Sequence, residues 1–238
     1  MTRSLARAGL GELITYYDDA TGERTGLSAA AVGDRSAATA ALLTEGCGLR
    51  AGSRAAVLLP PHWQTAAVLL GAWATGVEVS FRGWSTAGLT PAGEPLDVSF
   101  VEQRRVGDWL DDVPSATHRF TLRLGSGAPT PPDYQDYEQA VRPWLGSAPP
   151  REAVGVHDLA TVDGSTYGQY GAIAAEIAET HGIGRGDRVL VDAAASEQPL
   201  IWLLAPLSAG ASVVLCANLD RARLDERIAA EGVTRVLA

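Results

Sequence analysis

One candidate for chemistry in this sequence follows a short apolar run typical of a buried strand. Pro60-Pro61-His62-Trp63 comes directly after such a run and before a helical pattern. The carboxyl ends of parallel strands form the usual ligand edge of an open α/β sheet. An exposed His62 beside Trp63 could act as a base, or both rings could stack on a planar ligand. The alternative is structural: a turn and a helix start, with Trp63 packed against its own helix.

A second group of polar residues, Asp192, Ser196 and Glu197, follows another apolar run. A serine near acidic residues suggests a hydrolase, but no Gly-x-Ser-x-Gly elbow surrounds Ser196. No Walker, Rossmann or zinc pattern is present either. The remaining histidines show no metal-ligand spacing: His118, His157 and His181. We therefore predict no catalytic residue and no metal ligand.

The charged residues limit the chemistry further. All 19 residues in the Lys+Arg count are arginines, so no mechanism that needs a lysine ammonium can run on this chain alone. The net charge is −9 and the pI is near 4.9. Without a basic stripe, nucleic acid and anionic membranes are disfavoured as partners.

Cysteine usage and hydropathy favour a soluble cytoplasmic protein. Cys47 and Cys216 are far apart and fit no metal or redox spacing, which is typical of buried, reduced thiols. Residues 198–219 carry no charge, but Pro199 and Pro206 interrupt them. This stretch therefore predicts a buried helix followed by a buried strand rather than a membrane span.

An internal repeat organises the chain. Residues 38–81 align without a gap onto residues 172–215 at an offset of 134, with 13 identities in 44 positions. The shared landmarks are Gly48 with Gly182, Gly52 with Gly186, Arg54 with Arg188, Gln64 with Gln198, Leu69 and Leu70 with Leu203 and Leu204, and Gly76 with Gly210.

Both copies predict the same order of helix, strand, helix and strand. The elements of the first copy are Ala29–Glu45, Ala55–Leu59, Trp63–Ala74 and Val77–Phe81; those of the second are Tyr167–His181, Val189–Val191, Gln198–Ser208 and Ala211–Cys216. Strands that alternate with long helices pair in parallel through crossovers. The expected fold is α/β, with two pseudo-repeated subdomains, residues 1–148 and 149–238, each a small and mostly parallel sheet flanked by helices.

Elements outside the repeat are also predicted. A hairpin of Leu13–Ala20 and Thr25–Leu27 is expected in the first half. The other predicted elements are strands Val98–Val101, Arg119–Leu124 and Thr234–Leu237, helices Val106–Leu110 and Arg221–Glu231, and loops Gly125–Pro132 and Gly146–Arg151.

Several segments together resemble the adenylate-forming superfamily of acyl-CoA synthetases and other AMP-binding enzymes. Leu27-Ser28, residues 48–60 and Ala74-Thr75-Gly76 are similar to the opening of these enzymes. Residues 184–190, 207–215 and 232–237 are similar to the part that follows their phosphate loop. Segments 14–19 and 62–67 resemble a family of short actinobacterial AMP-binding-like proteins.

The resemblance implies a site for ATP, but several of its parts are missing. The position of the phosphate loop holds Gly164, Ser165, Thr166, Tyr167 and Gly168, with Tyr170 where a lysine is expected. A Pro-x-x-His motif would fall at Ala194–Glu197, where neither residue type occurs. The magnesium, ribose and carboxy-terminal lysine motifs would lie beyond Ala238.

Two interpretations of segment 164–168 stay open. Its glycines and hydroxyls could hold an anion such as AMP or ATP through backbone N–H groups. Alternatively, Ser165 or Thr166 caps the helix that starts at Tyr167.

Three functions follow as hypotheses. The first is a non-catalytic relative of adenylate-forming enzymes that binds a nucleotide or acyl-type molecule between its two halves. The second is an interaction module, a homodimer or a partner of another enzyme, because the last strand is expected at an open sheet edge. The third is one half of a split ligase whose missing groups come from another chain.

Overall fold

The computed structural model describes residues 11–83, 96–107, 113–125, 129–150 and 154–237. The strands are β1 (Ile14–Asp18), β2 (Glu23–Leu27), β3 (Arg54–Leu58), β4 (Glu78–Phe81), β5 (Leu96–Glu102), β6 (Ala116–Leu122), β7 (Gln135–Asp136), β8 (Arg188–Asp192), β9 (Ser212–Ala217) and β10 (Arg235–Leu237). The α-helices are α1 (Ala29–Ala41), α2 (Trp63–Ala74), α3 (Tyr137–Val141), α4 (Tyr167–Thr180), α5 (Ala205–Ala209) and α6 (Leu224–Glu231). In these ranges no helix combines the length and apolar character that a membrane crossing needs.

The strands form two five-stranded sheets. The first-copy sheet has the order β4-β3-β5-β6-β7, and all its pairs are parallel. The second-copy sheet has the order β10-β8-β9-β1-β2, where only the β1–β2 hairpin is antiparallel. Two mostly parallel sheets flanked by helices confirm the predicted fold class.

The chain divides into two compact units that are not contiguous in sequence. The first-copy unit comprises the described residues of 33–60 and 64–170, and the second-copy unit comprises those of 1–32, 61–63 and 171–238. The expected placement of the hairpin with residues 1–148 is wrong. β1 pairs in parallel with β9, so the hairpin extends the second-copy sheet.

Matched hydrogen bonds show that the two copies fold alike. The Gly52 N–H donates to Gly76 O at 2.9 Å, and the equivalent Gly186 N–H donates to Gly210 O at 3.0 Å. All four glycines have positive φ, between 73° and 83°, which side chains tolerate poorly. The repeat found in the sequence is therefore a repeat of structure.

The paired strands β3–β4 and β8–β9 are parallel in the same register. Arg54 lies opposite Glu78 in one pair, and Arg188 lies opposite Ser212 in the other. Residues 55–58 and 189–191 are all fully buried. Burial on both faces explains why these strands read as continuous apolar runs.

One predicted helix of the second copy is divided. Gln198–Ser208 was expected as a single helix, but a π-helical turn at Leu200–Leu204 precedes α5. Pro206 lies in the first turn of α5 and has no N–H to donate to the preceding turn. The proline therefore sets the boundary between the two segments.

A few other predicted elements shift. A 3₁₀ turn at Gln103–Arg105 precedes the expected helix Val106–Leu110, whose last three residues lie outside the described ranges, as do residues 126–128 of the expected loop Gly125–Pro132. A 3₁₀ turn at Arg221–Arg223 precedes α6, which is shorter than predicted. β7 and α3 were not expected at all.

A buried ion pair joins α6 to the second-copy sheet. Arg188 Nη2 lies 2.5 Å from Glu231 Oε2, and the same arginine donates to Thr15 Oγ1 at 2.7 Å. Tyr17 donates its hydroxyl to Glu231 Oε1, which also accepts from Arg24. Burial opposes ionisation of Glu231, but these hydrogen bonds hold the pKa of its carboxyl below the usual value.

We predict that Glu231→Gln destabilises the protein by about 3–5 kcal/mol, because Arg188 would stay buried without its nearer carboxylate and keep only Glu12 at 3.9 Å. Urea unfolding measures this. The carboxylate stabilises the native state above its unfolded pKa, about 4.3, and this contribution is lost as pH falls through the lower folded pKa. The variant should therefore lose less stability on acidification.

The control for this variant is Glu226→Gln on the same helix. Glu226 is exposed and pairs with Arg223 at 3.5 Å, so its removal should change stability by less than about 1 kcal/mol. Equal losses in the two variants would contradict a special role for the buried pair.

Candidate functional site

The segment predicted to hold phosphate lies in the first-copy unit, at the start of α4. Gly164 has a φ of 97° and turns the chain after Thr161. Thr161 forms a bridge with Val79, the second residue of β4. This bridge anchors the segment to the edge of the first-copy sheet.

The backbone N–H groups of the segment donate within the protein. The bonds run from Gly164 N to Thr161 O at 3.1 Å, Ser165 N to Thr161 Oγ1 at 3.1 Å, Thr166 N to Gln169 Oε1 at 2.9 Å, Tyr167 N to Asp158 O at 3.0 Å, and Gly168 N to Val156 O at 2.8 Å. A phosphate that used these donors would have to displace every one of these acceptors. The described conformation leaves none of these backbone N–H groups free for an anion. Anion binding at residues 164–168 therefore stays a prediction.

Thr166 caps α4. The Gln169 N–H donates to Thr166 Oγ1 at 3.3 Å, while Gln169 Oε1 accepts from the Thr166 N–H. This reciprocal arrangement is a capping box. The structural interpretation of the segment is confirmed in this respect.

Asp163 supplies a negative charge next to this helix start. Its carboxylate accepts from Thr161 Oγ1 and from the Ser165 hydroxyl at 3.3 Å. The hydrogen bond from Thr161 lowers the pKa of Asp163, although partial burial works in the opposite direction. The segment thus has its own anion at the place where the resemblance predicts a phosphate.

Tyr170, the residue at the expected lysine position, packs against α2. Its ring meets the Trp73 ring edge-on, with centroids 5.8 Å apart. Burial raises the pKa of Tyr170 to about 12. The Tyr167 hydroxyl donates to Trp73 O at 2.9 Å, and Trp73 Nε1 donates to Ala160 O at 3.0 Å. These contacts give both tyrosines a packing role.

His62 is buried, so the expectation of an exposed imidazole is wrong. It is 4% exposed and lies edge-on against Tyr16, with ring centroids 4.3 Å apart. Burial lowers the pKa of His62 to about 3, although the charge of Asp18 acts in the opposite direction. α2 begins at the half-buried Trp63, as the structural alternative predicts. Ligand binding by these two rings stays a prediction.

Tyr16 and His62 belong to the two segments that resemble the short family, residues 14–19 and 62–67. Tyr16 lies on β1 and His62 immediately precedes α2, and both lie in the second-copy unit. Their ring contact gives a packing reason for the joint presence of both segments.

The carboxylate of Asp192, at the end of β8, is hydrogen-bonded and ion-paired within the protein. It accepts from the Ala194 N–H at 3.0 Å and lies 3.3 Å from Arg221 Nη2. The Ser196 N–H donates to the Asp192 carbonyl at 3.1 Å, which closes a turn. The hydrolase alternative gains no support from this arrangement.

A cavity of about 650 Å³ in the first-copy unit was not predicted from the sequence. Ligand sites for small molecules usually have 300–1,000 Å³. Small and apolar side chains dominate its lining: Ala41, Leu49, Ala51, Ala74, Ala148, Pro149, Pro150 and Val154, with Thr44, Glu45, Arg50, Thr75, Ser147 and Asp158 as its polar members. These residues come from three separate stretches of chain. Alanine and proline are frequent among them, and their side chains give no sequence signal that the three stretches form one cavity.

Arg50 gives the cavity a cation. Among the described residues its guanidinium has no ion pair or hydrogen bond, unlike Asp158, whose carboxylate accepts from the Gly155 N–H at 2.6 Å. A guanidinium that faces an apolar cavity suits a ligand with an apolar body and a carboxylate or phosphate head.

Comparisons with known proteins identify the relationship. The chain is 38% identical over 237 residues to a "TIGR03089 family protein" of Mycobacterium tuberculosis (strain ATCC 25618 / H37Rv), covering 96% of this chain and 92% of that protein. No family model matches the chain. The relative agrees with the predicted resemblance to a short actinobacterial family.

Solved structures show the fold. The acyl-CoA synthetase of Brucella canis superposes with a TM-score of 0.67 at 20% identity, over 94% of this chain and 44% of that one. The acetoacetyl-CoA synthetase of Streptomyces lividans gives 0.67 at 19% identity, over 98% and 40%. The chain thus spans less than half the length of these synthetases, and the predicted likeness to adenylate-forming enzymes is confirmed for the fold.

We predict that acid destabilises the protein through His62. Because its folded pKa of about 3 lies below its unfolded pKa of about 6.5, the unfolded state binds more protons between these values. The free energy of unfolding should therefore fall as pH falls through this window. His62→Phe keeps a ring against Tyr16 and should flatten the fall, measured by urea unfolding at each pH. The exposed His157→Asn is the control, and an equal flattening there would contradict the assignment.

Proposed function

Since the chain belongs to the TIGR03089 family and has the fold of part of the acyl-CoA synthetases, we propose that it is a non-catalytic relative of adenylate-forming enzymes that binds an acyl-type carboxylate. The main support is the hydrogen-bonded segment at residues 164–168, where Asp163 stands beside a capped helix. A site of this kind favours neither ATP nor the pyrophosphate that adenylation releases.

The composition supports the same proposal. Charge that develops on a leaving pyrophosphate needs a cation, and the position of the lysine expected from the resemblance holds the half-buried Tyr170. The chain contains no lysine at any position, so none can take over this role. We therefore expect no adenylation by this polypeptide alone.

The residues that line the cavity at Arg50 indicate which class of ligand it would bind. Its alanine, leucine and proline walls suit an alkyl chain, and Arg50 suits the carboxylate at one end. An adenosine would instead need several hydrogen-bonding partners for its base and ribose, whereas eight of the fourteen lining residues are apolar. We therefore favour the acyl group over the nucleotide as the ligand.

We predict that decanoate binds the protein in calorimetric titration and that AMP and ATP give no measurable heat. Arg50→Ala should weaken decanoate binding by about tenfold, equal to about 1.4 kcal/mol, because the carboxylate loses a charge-assisted partner. Ala148→Trp should block the cavity and abolish binding. Ala222→Trp places the same bulk at an exposed position of the other unit and should bind normally.

An exchange assay separates this proposal from the split-ligase hypothesis. The purified chain should not exchange pyrophosphate into ATP, with or without decanoate. Exchange by the chain alone would disprove the non-catalytic assignment, whereas exchange only after another protein is added would support the split ligase. Decanoate binding that both cavity variants retain would move the ligand to another site.

A further inference from the structure

The internal repeat shows which surfaces of one copy are covered in the other. In the first-copy sheet β5 pairs with β3 on one side and with β6 on the other. In the second-copy sheet β10 occupies the place of β5, because it pairs in parallel with β8, the counterpart of β3. Among the described residues β10 has only this one strand neighbour.

The helix layer shows the same difference. Thr39 of α1 is fully buried, and its hydroxyl lies 2.7 Å from the Tyr137 hydroxyl on α3. Its counterpart at the offset of 134 is Ile173 of α4, which is 41% exposed. A polar residue is thus covered in one copy while an isoleucine stands open at the same position in the other.

Ile173 corresponds to a residue that lies on the same side of the first-copy sheet as the counterpart of Leu237. In the first copy Phe100 of β5 and Thr39 of α1 both contact Tyr137 of α3. From the pairing registers, Leu237 of β10 is the counterpart of Phe100. Ile173 and Leu237 therefore occupy the two positions that one aromatic side chain covers in the first copy.

The edge of β10 carries few of the features that normally protect a free edge. Val236, at its centre, is 42% exposed. Arg235 donates to Gly182 O at 2.9 Å and lies 3.9 Å from Asp187 Oδ2, so its charge is partnered within the protein. Exposed edges without charge or proline favour pairing with another strand.

We propose that this surface, formed by β10 and the exposed side of α4 around Ile173, is a homodimer interface. A twofold axis normal to the second-copy sheet would place β10 antiparallel to its equivalent and set α4 beside its equivalent on the same side. A second copy would thus supply a strand within the sheet and a helix above it. These are the two kinds of element, β6 and α3, that close the first-copy sheet.

A twofold interface would place Ile173 opposite its own equivalent. Near the axis each Ile173 faces the Ile173 of the other copy, and each Val236 lies at the centre of the antiparallel β10 pair. A single charge introduced at either position is therefore doubled across the axis, where burial makes the repulsion costly. Opposite charges introduced on two different copies would attract each other.

Light scattering coupled to size exclusion tests the proposal. The wild-type chain should elute with twice its chain mass of 24.8 kDa. Ile173→Glu, Ile173→Lys and Val236→Asp should each give monomers with an unchanged circular dichroism spectrum. An equimolar mixture of Ile173→Glu and Ile173→Lys should restore the dimer, since unlike charges then meet at the axis.

The matched control is Val156→Glu. Val156 is 63% exposed, more than Ile173, but belongs to the first-copy unit. This variant should remain dimeric. A monomeric wild type at every concentration, or a dimer that survives both Ile173→Glu and Val236→Asp, would overturn the proposal. A mixture that stays monomeric would exclude the twofold contact at Ile173.

Discussion

The arrangement of helices and strands in this protein depends on the burial of its inner parallel strands on both faces. Residues 55–58 of β3 and 189–191 of β8 are fully buried, so each strand needs crossover helices above it and closely paired neighbours beside it. The turn that makes this possible is the same in both copies, with Gly52 bonded to Gly76 and Gly186 bonded to Gly210. These turns set the register of the strand pairs and hold the amino ends of the paired strands together. Side chains at the other positions could change while the scaffold stayed the same.

The arginine that starts each inner strand illustrates such a change. Arg54 pairs with Glu78 at 3.6 Å and is partly exposed. Its counterpart Arg188 is buried and reaches Glu231 on α6 and Thr15 on β1. A buried ion pair adds little net stability compared with apolar packing, but it penalises any arrangement in which one partner is missing. The network around Arg188 thus favours docking of the amino-terminal hairpin on the second-copy sheet rather than elsewhere.

The sequence was sufficient for the repeat, the fold class and most elements, because glycine turns and continuous apolar strands are local signals. α2 begins and ends at the predicted residues. The hairpin was placed in the wrong half because its pairing with β9 joins residues about 200 positions apart, which no local pattern shows. β7 and α3 were missed because each is only a few residues long. Burial of His62 was missed for a similar reason, since it follows from a contact with the distant Tyr16.

The hydrogen bonds of segment 163–168 give the proposed lack of nucleotide binding a physical reason that is compatible with the fold. A helix start attracts an anion whether the anion comes from a ligand or from the chain. Here Asp163 supplies the anion and the neutral amide oxygen of Gln169 accepts from the Thr166 N–H, so the segment is satisfied without a ligand. Each internal bond is worth about 0.5–1.5 kcal/mol net, and a phosphate would have to replace several of them while approaching an ionised carboxylate. Tyr170 at the expected lysine position and the internal hydrogen bonds of the segment therefore support the same proposal, and both are compatible with the ring contact between Tyr170 and Trp73.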